Sequence, residues 1–261
     1  MDLSRVARVA IKAAYRSADI LRSRLGNLAT ISKKGPTDLV TDADLASEAE
    51  IVRTIREAYP EHAIVAEESG LHGGATEHRW VVDPLDGTVN YAHQVPFFAV
   101  SIAYAYQDVV QVGVVLNPLS GELFSATAGS GAFLNGNRIR VSSEAALAES
   151  MLATGFPYDL DTGFDTLASR FLRCLKRARG VRRLGSAALD LCYVACGRFG
   201  GYWEDRLQPW DMAAGTLLVR EAGGAVTDFH NRPVGAEARE VLATNRLLHD
   251  ELLSLMEVDR R

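Results

Sequence analysis

Trp80-Val81-Val82-Asp83-Pro84-Leu85-Asp86-Gly87-Thr88-Val89-Asn90 is the stretch around which the 261-residue chain is organised. The apolar run Trp80 to Val82 reads as a short buried strand that ends in two carboxylates. Pro84 has no amide to donate to a sheet ladder and disfavours a helical residue before it, so the strand is expected to stop near Asp83. Gly87 lets the backbone turn, and Thr88-Val89-Asn90 opens a helix behind it. Asp83 and Asp86 are therefore expected together at the carboxyl end of a strand, facing the amides of a helix start. Two carboxylates forced together repel unless a cation sits between them, and ligation by oxygen alone suits Mg²⁺. The amides and dipole of a helix N-terminus suit a phosphate. Cation and phosphate side by side suggest phosphoryl chemistry. The plainer alternative is a capped turn in which Asp86 serves only local amides.

The bulk composition is that of a globular chain. Hydrophobic residues make up 48% and charged residues 23%, and the formal net charge of −5 argues against a broad nucleic-acid footprint. One local basic run, Lys176 to Arg183, stands out and reads as a solvated helix end. Cys174, Cys192 and Cys196 are odd in number and lack zinc-type spacing, so buried free thiols and a reducing cytoplasm are expected. The N-terminus lacks a signal-peptide core, and the most apolar segment, Val95 to Tyr106, is too short to span a bilayer.

Residues 3 to 25 place Val6, Val9, Ala10, Ala13, Ala14, Ala18 and Leu21 at helical spacing, with Gly26 as the stop. Gly35-Pro36 breaks structure, so Lys33 and Lys34 fall on a loop. Thr41 or Asp42 caps the next helix, whose inner face is read as Leu45, Ala49, Val52, Ile55 and Tyr59, with Asp44 in the first turn. Ala63 to Ala66 is a strand leading into Glu67-Glu68, and Gly70 to His78 reads as a surface loop with exposed His72 and His78. Phe97–Tyr106 and Val109–Leu116 form a hairpin, and Asn135-Gly136 turns another. From about residue 143 helices and strands alternate, with Phe199–Trp203 a strand, Asp211–Ala222 a helix and Ala225–Asp228 the last strand. No linker divides the halves, so residues 1–142 and 143–261 are expected as two lobes packed as one unit. The fold class is α+β to α/β, with an antiparallel sheet in the first lobe and a mixed sheet in the second.

A second informative stretch is Gln208-Pro209-Trp210-Asp211-Met212-Ala213-Ala214-Gly215. On its own Asp211 reads as a helix cap, and Ala213-Ala214-Gly215 permits close helix packing. Taken together, DPLDGT at 83–88, the Glu67-Glu68-Ser69 element, GAFLNGNRIRVS at 131–142 and WDMAAG at 210–215 resemble the motifs of the inositol monophosphatase family of Mg²⁺-dependent, Li⁺-sensitive phosphatases. The resemblance covers Lys33 through Asp228. Ala66 stands where the family usually has Gly, and Trp203 where a smaller aromatic is common.

The resemblance implies a layered α-β-α-β-α sandwich of the sugar-phosphatase type. It implies that Glu67, Asp83, the carbonyl of Leu85, Asp86 and Asp211 hold two to three Mg²⁺ ions, with Glu68 behind them. It further implies that Glu67, Thr88 and Asp44 orient and activate water, and that Asp86, Gly87, Thr88 and Asp211 meet the phosphate. Gly185, Ser186, Ala187 and Glu204 match positions that contact a hydroxylated ring, and Glu204 lies seven residues before Asp211. Lys33 and Lys34 match the family's flexible loop. The implied reaction is hydrolysis of myo-inositol monophosphate. Fructose 1,6-bisphosphate, a 3′-phosphorylated adenosine nucleotide and NADP are alternatives on the same fold. A cytoplasmic homodimer is implied, with no membrane partner. Some bacterial relatives are associated with RNA polymerase and ribosomal RNA, and only the Lys176–Arg183 run would support such a role here.

Overall fold

The computed structural model describes residues 1–28, 30–33, 39–74, 76–157, 162–235 and 238–257. Helix α1 (Leu3–Arg24) is capped by Asp2, whose carboxylate accepts from the amides of Ser4 at 3.0 Å and Arg5 at 3.1 Å. It buries the predicted alanine-rich stripe from Val6 to Leu21, and Gly26 follows at φ +76°. Short strands β1 (Ile31–Lys33) and β2 (Leu39–Thr41) pair antiparallel. The remainder of the expected cationic loop, residues 34–38 with Lys34, lies outside the described residues.

Helix α2 (Asp42–Ala58) opens with a capping box between Thr41 and Asp44. Its buried face is Ala43, Asp44, Ser47, Glu48, Ile51, Thr54 and Ile55, whereas Leu45 is exposed and Ala49 faces solvent. The predicted face is therefore turned by about one residue. Hydrogen-bonded polar groups take the inner positions: Ser47 donates to the carbonyl of Pro84 at 2.8 Å, and Glu48 accepts from the Glu68 amide at 2.8 Å.

Next come β3 (Ala63–Ala66), β4 (Gly70–His72), β5 (His78–Asp86), the short helix α3 (Thr88–Ala92), β6 (Ala99–Tyr106), β7 (Val109–Leu116), β8 (Leu123–Thr127), β9 (Gly131–Leu134) and β10 (Asn137–Ile139). They form one eight-stranded sheet in the order β10-β9-β8-β7-β6-β5-β3-β4. The sheet is mixed rather than antiparallel throughout, because β3 runs parallel to β5. The segment read as a surface loop carries β4, and His78 belongs to β5, with Nδ1 2.7 Å from the Tyr104 hydroxyl and its ring stacked 4.6 Å from His62. His72 is half-buried beside Ser69. Both predicted hairpin tips hold two consecutive left-handed residues, Gln107-Asp108 and Asn135-Gly136, as two-residue turns between twisted strands require.

The second half supplies β11 (Met151–Thr154), α4 (Phe164–Leu175), β12 (Gly180–Arg182), α5 (Ala187–Ala195), β13 (Gly201–Asp205), α6 (Pro209–Glu221), β14 (Ala225–Thr227), β15 (Glu240–Thr244) and α7 (His249–Met256). Its five-stranded mixed sheet has the order β12-β11-β13-β15-β14. Strand β15 was not expected, since Ala225–Asp228 reads as the last strand; it lies between β13 and β14.

Three apolar clusters define the layering. Helices α1 and α2 pack on one face of the larger sheet. Helices α5 and α6 fill the space between the two sheets. Helices α4 and α7 cover the far side of the smaller sheet. This is the α-β-α-β-α order. The close approach of α6 depends on missing side chains. A Cβ on Gly113 of β7 would lie 2.8 Å from the Ala214 carbonyl oxygen, and one on Gly215 would lie 2.6 Å from Leu191 Cβ. All three cysteines are free; Cys174 and Cys192 are buried, but Cys196 is only half-buried. Among the described residues no helix is long and apolar enough to cross a membrane.

Candidate active site

Strand β5 does not stop at Asp83. Asp83 pairs with Ser101 and Asp86 with Ala99, so β5 carries one extra residue between them, a bulge. In a regular strand, residues three apart point to opposite faces. The bulge cancels that offset and brings Asp83 and Asp86 to the same side. Pro84 sits in the bulge, where its missing amide costs no ladder bond. The Leu85 amide donates to Asp83 Oδ1 at 2.9 Å. Gly87, the N-cap of α3, stands at φ +94°, and a Cβ there would lie 3.1 Å from the carbonyl oxygens of Gly185 and Phe97. Both constraints select glycine.

The second half of the chain closes the site. Ser186 caps α5, and Asp86 Oδ2 accepts from the Ser186 hydroxyl at 2.6 Å and the Ala188 amide at 2.7 Å. Helix α6 starts at Pro209 with Gln208 as N-cap, so Asp211 is in the first turn rather than at the cap; its Oδ2 accepts from the Gln208 amide at 2.7 Å. Glu204 lies within β13, which runs two residues past its expected end, and accepts from the Tyr202 hydroxyl. Gly155 makes room for it: a Cβ there would fall 1.8 Å from Glu204 Oε2.

These groups line one cavity of about 330 Å³. Glu67, Asp83, Leu85, Asp86, Gly87 and Thr88 come from the first half, and Gly185, Ser186, Ala187, Glu204 and Asp211 from the second. Asp44 stands behind this wall, fully buried. Its Oδ2 accepts from the Thr41 amide at 2.9 Å, and its Oδ1 from the Thr88 hydroxyl at 3.1 Å. The same hydroxyl lies 3.0 Å from the Leu85 carbonyl oxygen.

Electrostatics in the cavity are dominated by crowded acids. Burial, then the charges of Glu67, Asp86 and Asp211, pushes the Asp83 carboxyl well above the usual range. Burial likewise raises Asp211, with Asp86 the next cause. Asp86 is pushed up to about 6 by burial, even though Ser186 and Ala188 hydrogen bonds oppose the rise. Glu204 is pushed up to about 7, again mainly by burial. Among the described residues no lysine or arginine forms an ion pair with Asp83, Asp86 or Asp211. Nor do any three histidine, cysteine or carboxylate groups close on one point there; the acids share the cavity instead. Hard oxygen donors that are buried and repel one another, as Asp83, Asp86 and Asp211 do, fit a divalent cation such as Mg²⁺.

Comparison with known proteins gives the family. The family model described as the inositol monophosphatase family matches residues 2–259. The chain belongs to the inositol monophosphatase family. It is 45% identical over 253 residues to the inositol-1-monophosphatase of Synechocystis sp., covering 96% of this chain and 88% of that one. It is 44% identical over 255 residues to the Nus factor SuhB of Escherichia coli strain K12, covering 94% and 96%. Among solved structures, the extragenic suppressor protein suhB from Bartonella henselae superposes with a TM-score of 0.93 at 42% identity, covering 97% and 99%. The inositol monophosphatase of Anabaena superposes with a TM-score of 0.88 at 42% identity, covering 98% and 96%.

Several cavity residues of this family member carried no signal in the sequence. Arg183 and Arg206 line the cavity, as do Phe156 and Leu207. Arg183 ends the basic run read as a solvated helix end, and its guanidinium lies 6.0 Å from the Phe156 ring centre. The run is therefore divided: Arg177 pairs with Glu251 at 3.3 Å on the surface, while Arg183 faces the site. Asp190, on α5, is fully buried, and neither carboxyl oxygen has a hydrogen-bond partner among the described residues. Burial, then the charges of Glu204 and Asp86, raises its carboxyl well above the usual range. Only its position in an apolar helix hinted that it would be inside.

Proposed function

We propose that this phosphatase hydrolyses myo-inositol monophosphate to inositol and phosphate by direct attack of water. The observation that carries the reading is the shared cavity. Glu67, Asp83, Asp86 and Asp211 line it together with Gly87, Thr88 and Glu204. Glu67, Asp83, the Leu85 carbonyl, Asp86 and Asp211 would hold two to three Mg²⁺ ions. When bound, the ions supply Lewis-acid activation of water and charge stabilisation of the leaving oxygen.

The protein's own groups then set the geometry. Gly87 and Thr88 open α3 and offer backbone amides to the phosphate. The Thr88 hydroxyl has one proton and two acceptors, Asp44 Oδ1 and the Leu85 carbonyl. Donating it wholly to Asp44 frees the Leu85 carbonyl for ligation and leaves the Thr88 oxygen to accept from the attacking water. Thr88 and Asp44, with Glu67, therefore orient the nucleophile. Ser186 is no competing nucleophile, because its hydroxyl donates to Asp86 and accepts from the Leu189 amide. Glu204, which lines the cavity with Gly185, Ser186 and Ala187, accepts hydrogen bonds from the polyol hydroxyls. Arg183 and Arg206 also line the cavity and add positive charge, which would suit a second phosphate or a nucleotide.

The test is phosphate release, with Mg²⁺, from myo-inositol 1-phosphate, fructose 1,6-bisphosphate, 3′-phosphoadenosine 5′-phosphate and NADP. Preferred release from the inositol phosphate, inhibited by Li⁺, supports the reading. Preferred turnover of any other member reassigns the substrate, and no release from any of them removes the catalytic assignment.

A further inference from the structure

On the reverse side of α6 from Asp211 lies a second cavity, of about 480 Å³. That volume falls within the roughly 300–1,000 Å³ of small-molecule sites. Val81, Ala105, Val110, Met212, Val226 and Val234 give it a largely apolar wall. Two arginines enter this wall. Arg79, on β5, pairs with Asp108 at 2.7 Å through Nη1, but its Nε is buried and has no hydrogen-bond partner among the described residues. Arg220, in the last turn of α6, donates to the Val234 carbonyl at 3.2 Å and has no carboxylate partner among the described residues. The lining therefore carries Arg79 and Arg220 against the single acid Asp108. That leaves net positive charge in a largely apolar wall, which an anionic group would match.

We propose that this cavity is a binding site for a small amphipathic monoanion: an apolar body carrying one carboxylate or sulfonate. The body would replace water along the valine and methionine wall, and the anionic head would face Arg79 and Arg220. The site shares α6 and β5 with the catalytic cavity but none of its lining residues. Its existence does not depend on which phosphomonoester is hydrolysed.

The test uses 8-anilino-1-naphthalenesulfonate as a probe and N-phenyl-1-naphthylamine as the same body without the charge. Both are titrated by fluorescence into the folded full-length protein. The sulfonate should saturate at one molecule per chain. In Arg79→Met/Arg220→Met it should bind about tenfold more weakly, as loss of a charge-assisted contact implies, while the neutral probe is unaffected. Val110→Trp, which fills the cavity from the strand edge remote from Asp211, should remove binding of both probes while phosphate release is retained. Thermal melts of each variant show that the fold is intact. Absence of saturable binding, or binding that survives Val110→Trp, overturns the site. Equal affinity for the two probes, or no loss in the double arginine variant, overturns its preference for an anion.

Discussion

At the scale of single residues, the cavity divides into groups that hold charge and groups that hold shape. Removing a carboxylate should separate the two. Asp211→Asn keeps the volume and deletes one of several crowded, buried acids. Turnover should fall at least about a hundredfold, since an ion-holding group in such a site contributes several kcal/mol to the transition state. The metal-free variant should melt no lower than the parent, because one like-charge repulsion is gone. Normal activity at low Mg²⁺ would remove Asp211 from the ion site. Glu204 answers to a different readout. Gly155→Ala places a methyl group where Glu204 Oε2 now sits, so the glutamate must leave its position. KM for the polyol phosphate should rise, and the order of preferred substrates should change, with the Mg²⁺ requirement held. An unchanged order would take Glu204 out of substrate selection. His62 allows a test away from the site. Its Nδ1 accepts from Trp80 Nε1 at 3.1 Å, and its ring stacks between Tyr59 and His78 near Tyr104. Burial, then the charges of His78 and Arg56, holds the imidazole down to about 4. The unfolded imidazole titrates near about 6.5, so the neutral ring's contribution is complete above that pH and is lost as pH falls toward 4. Melts between pH 7.5 and 4.5 should show a shallower acid decline in His62→Asn than in the parent. Parallel curves would place the titration elsewhere.

At the scale of elements, α6 shows what the sequence made legible and what it hid. Its small residues and a helix start near Asp211 were readable, because turn formers and the Ala-Ala-Gly run act locally, although the helix begins two residues earlier, at Pro209, with Gln208 rather than Asp211 as the cap. The partner that makes those residues necessary, Gly113 of β7, was not readable, since nothing in a strand pattern names the helix it will touch. The same limit explains α2. Counting apolar residues nominates Leu45 and Ala49, whereas the inner face is filled by Ser47 and Glu48, which satisfy backbone groups of Pro84 and Glu68. Periodicity cannot register a polar residue whose partner is remote in the chain. It also cannot register a bulge, so β5 was cut at Asp83 when its extra residue is what aligns Asp83 with Asp86. Strand β15 was missed because Val241-Leu242-Ala243 is too short a run to stand out from its polar flanks. The helix-to-sheet contact carries its own prediction. Gly113→Ala sets a Cβ 2.8 Å from the Ala214 carbonyl oxygen and 3.0 Å from Ala214 Cα, both backbone atoms, so α6 itself must move. Overpacking of this kind costs about 1–3 kcal/mol. A lower melting temperature and a higher Mg²⁺ requirement are expected together, because Asp211 rides on the same helix. Gly74→Ala, with no atom within 4 Å of the added carbon, is the control. A melting temperature that does not move would show that the contact is not tight.

At the scale of the whole molecule, the two sheets share one apolar cluster through α5 and α6, and the catalytic cavity lies where the halves meet. Asp86, from the first half, is held by Ser186 and Ala188 of the second, and Asp211 comes from the second half as well. An ion that needs carboxylates from both halves binds only when they are together, so its binding energy is also energy of assembly. Unfolding should therefore be a single transition in which tryptophan fluorescence and far-ultraviolet circular dichroism coincide, and Mg²⁺ should move that transition as a unit. At about a hundred times its dissociation constant a ligand adds roughly 2.7 kcal/mol. For a chain of this size that corresponds to a rise of roughly 5–10 °C. Asp83→Asn and Asp211→Asn alter opposite halves of the same site, and each should abolish most of the rise. If Mg²⁺ stabilised Asp211→Asn as well as the parent, the ion would be held by the first half alone, and the cavity would not depend on the second half for its metal. If fluorescence and circular dichroism separated, the halves would unfold independently despite their common core.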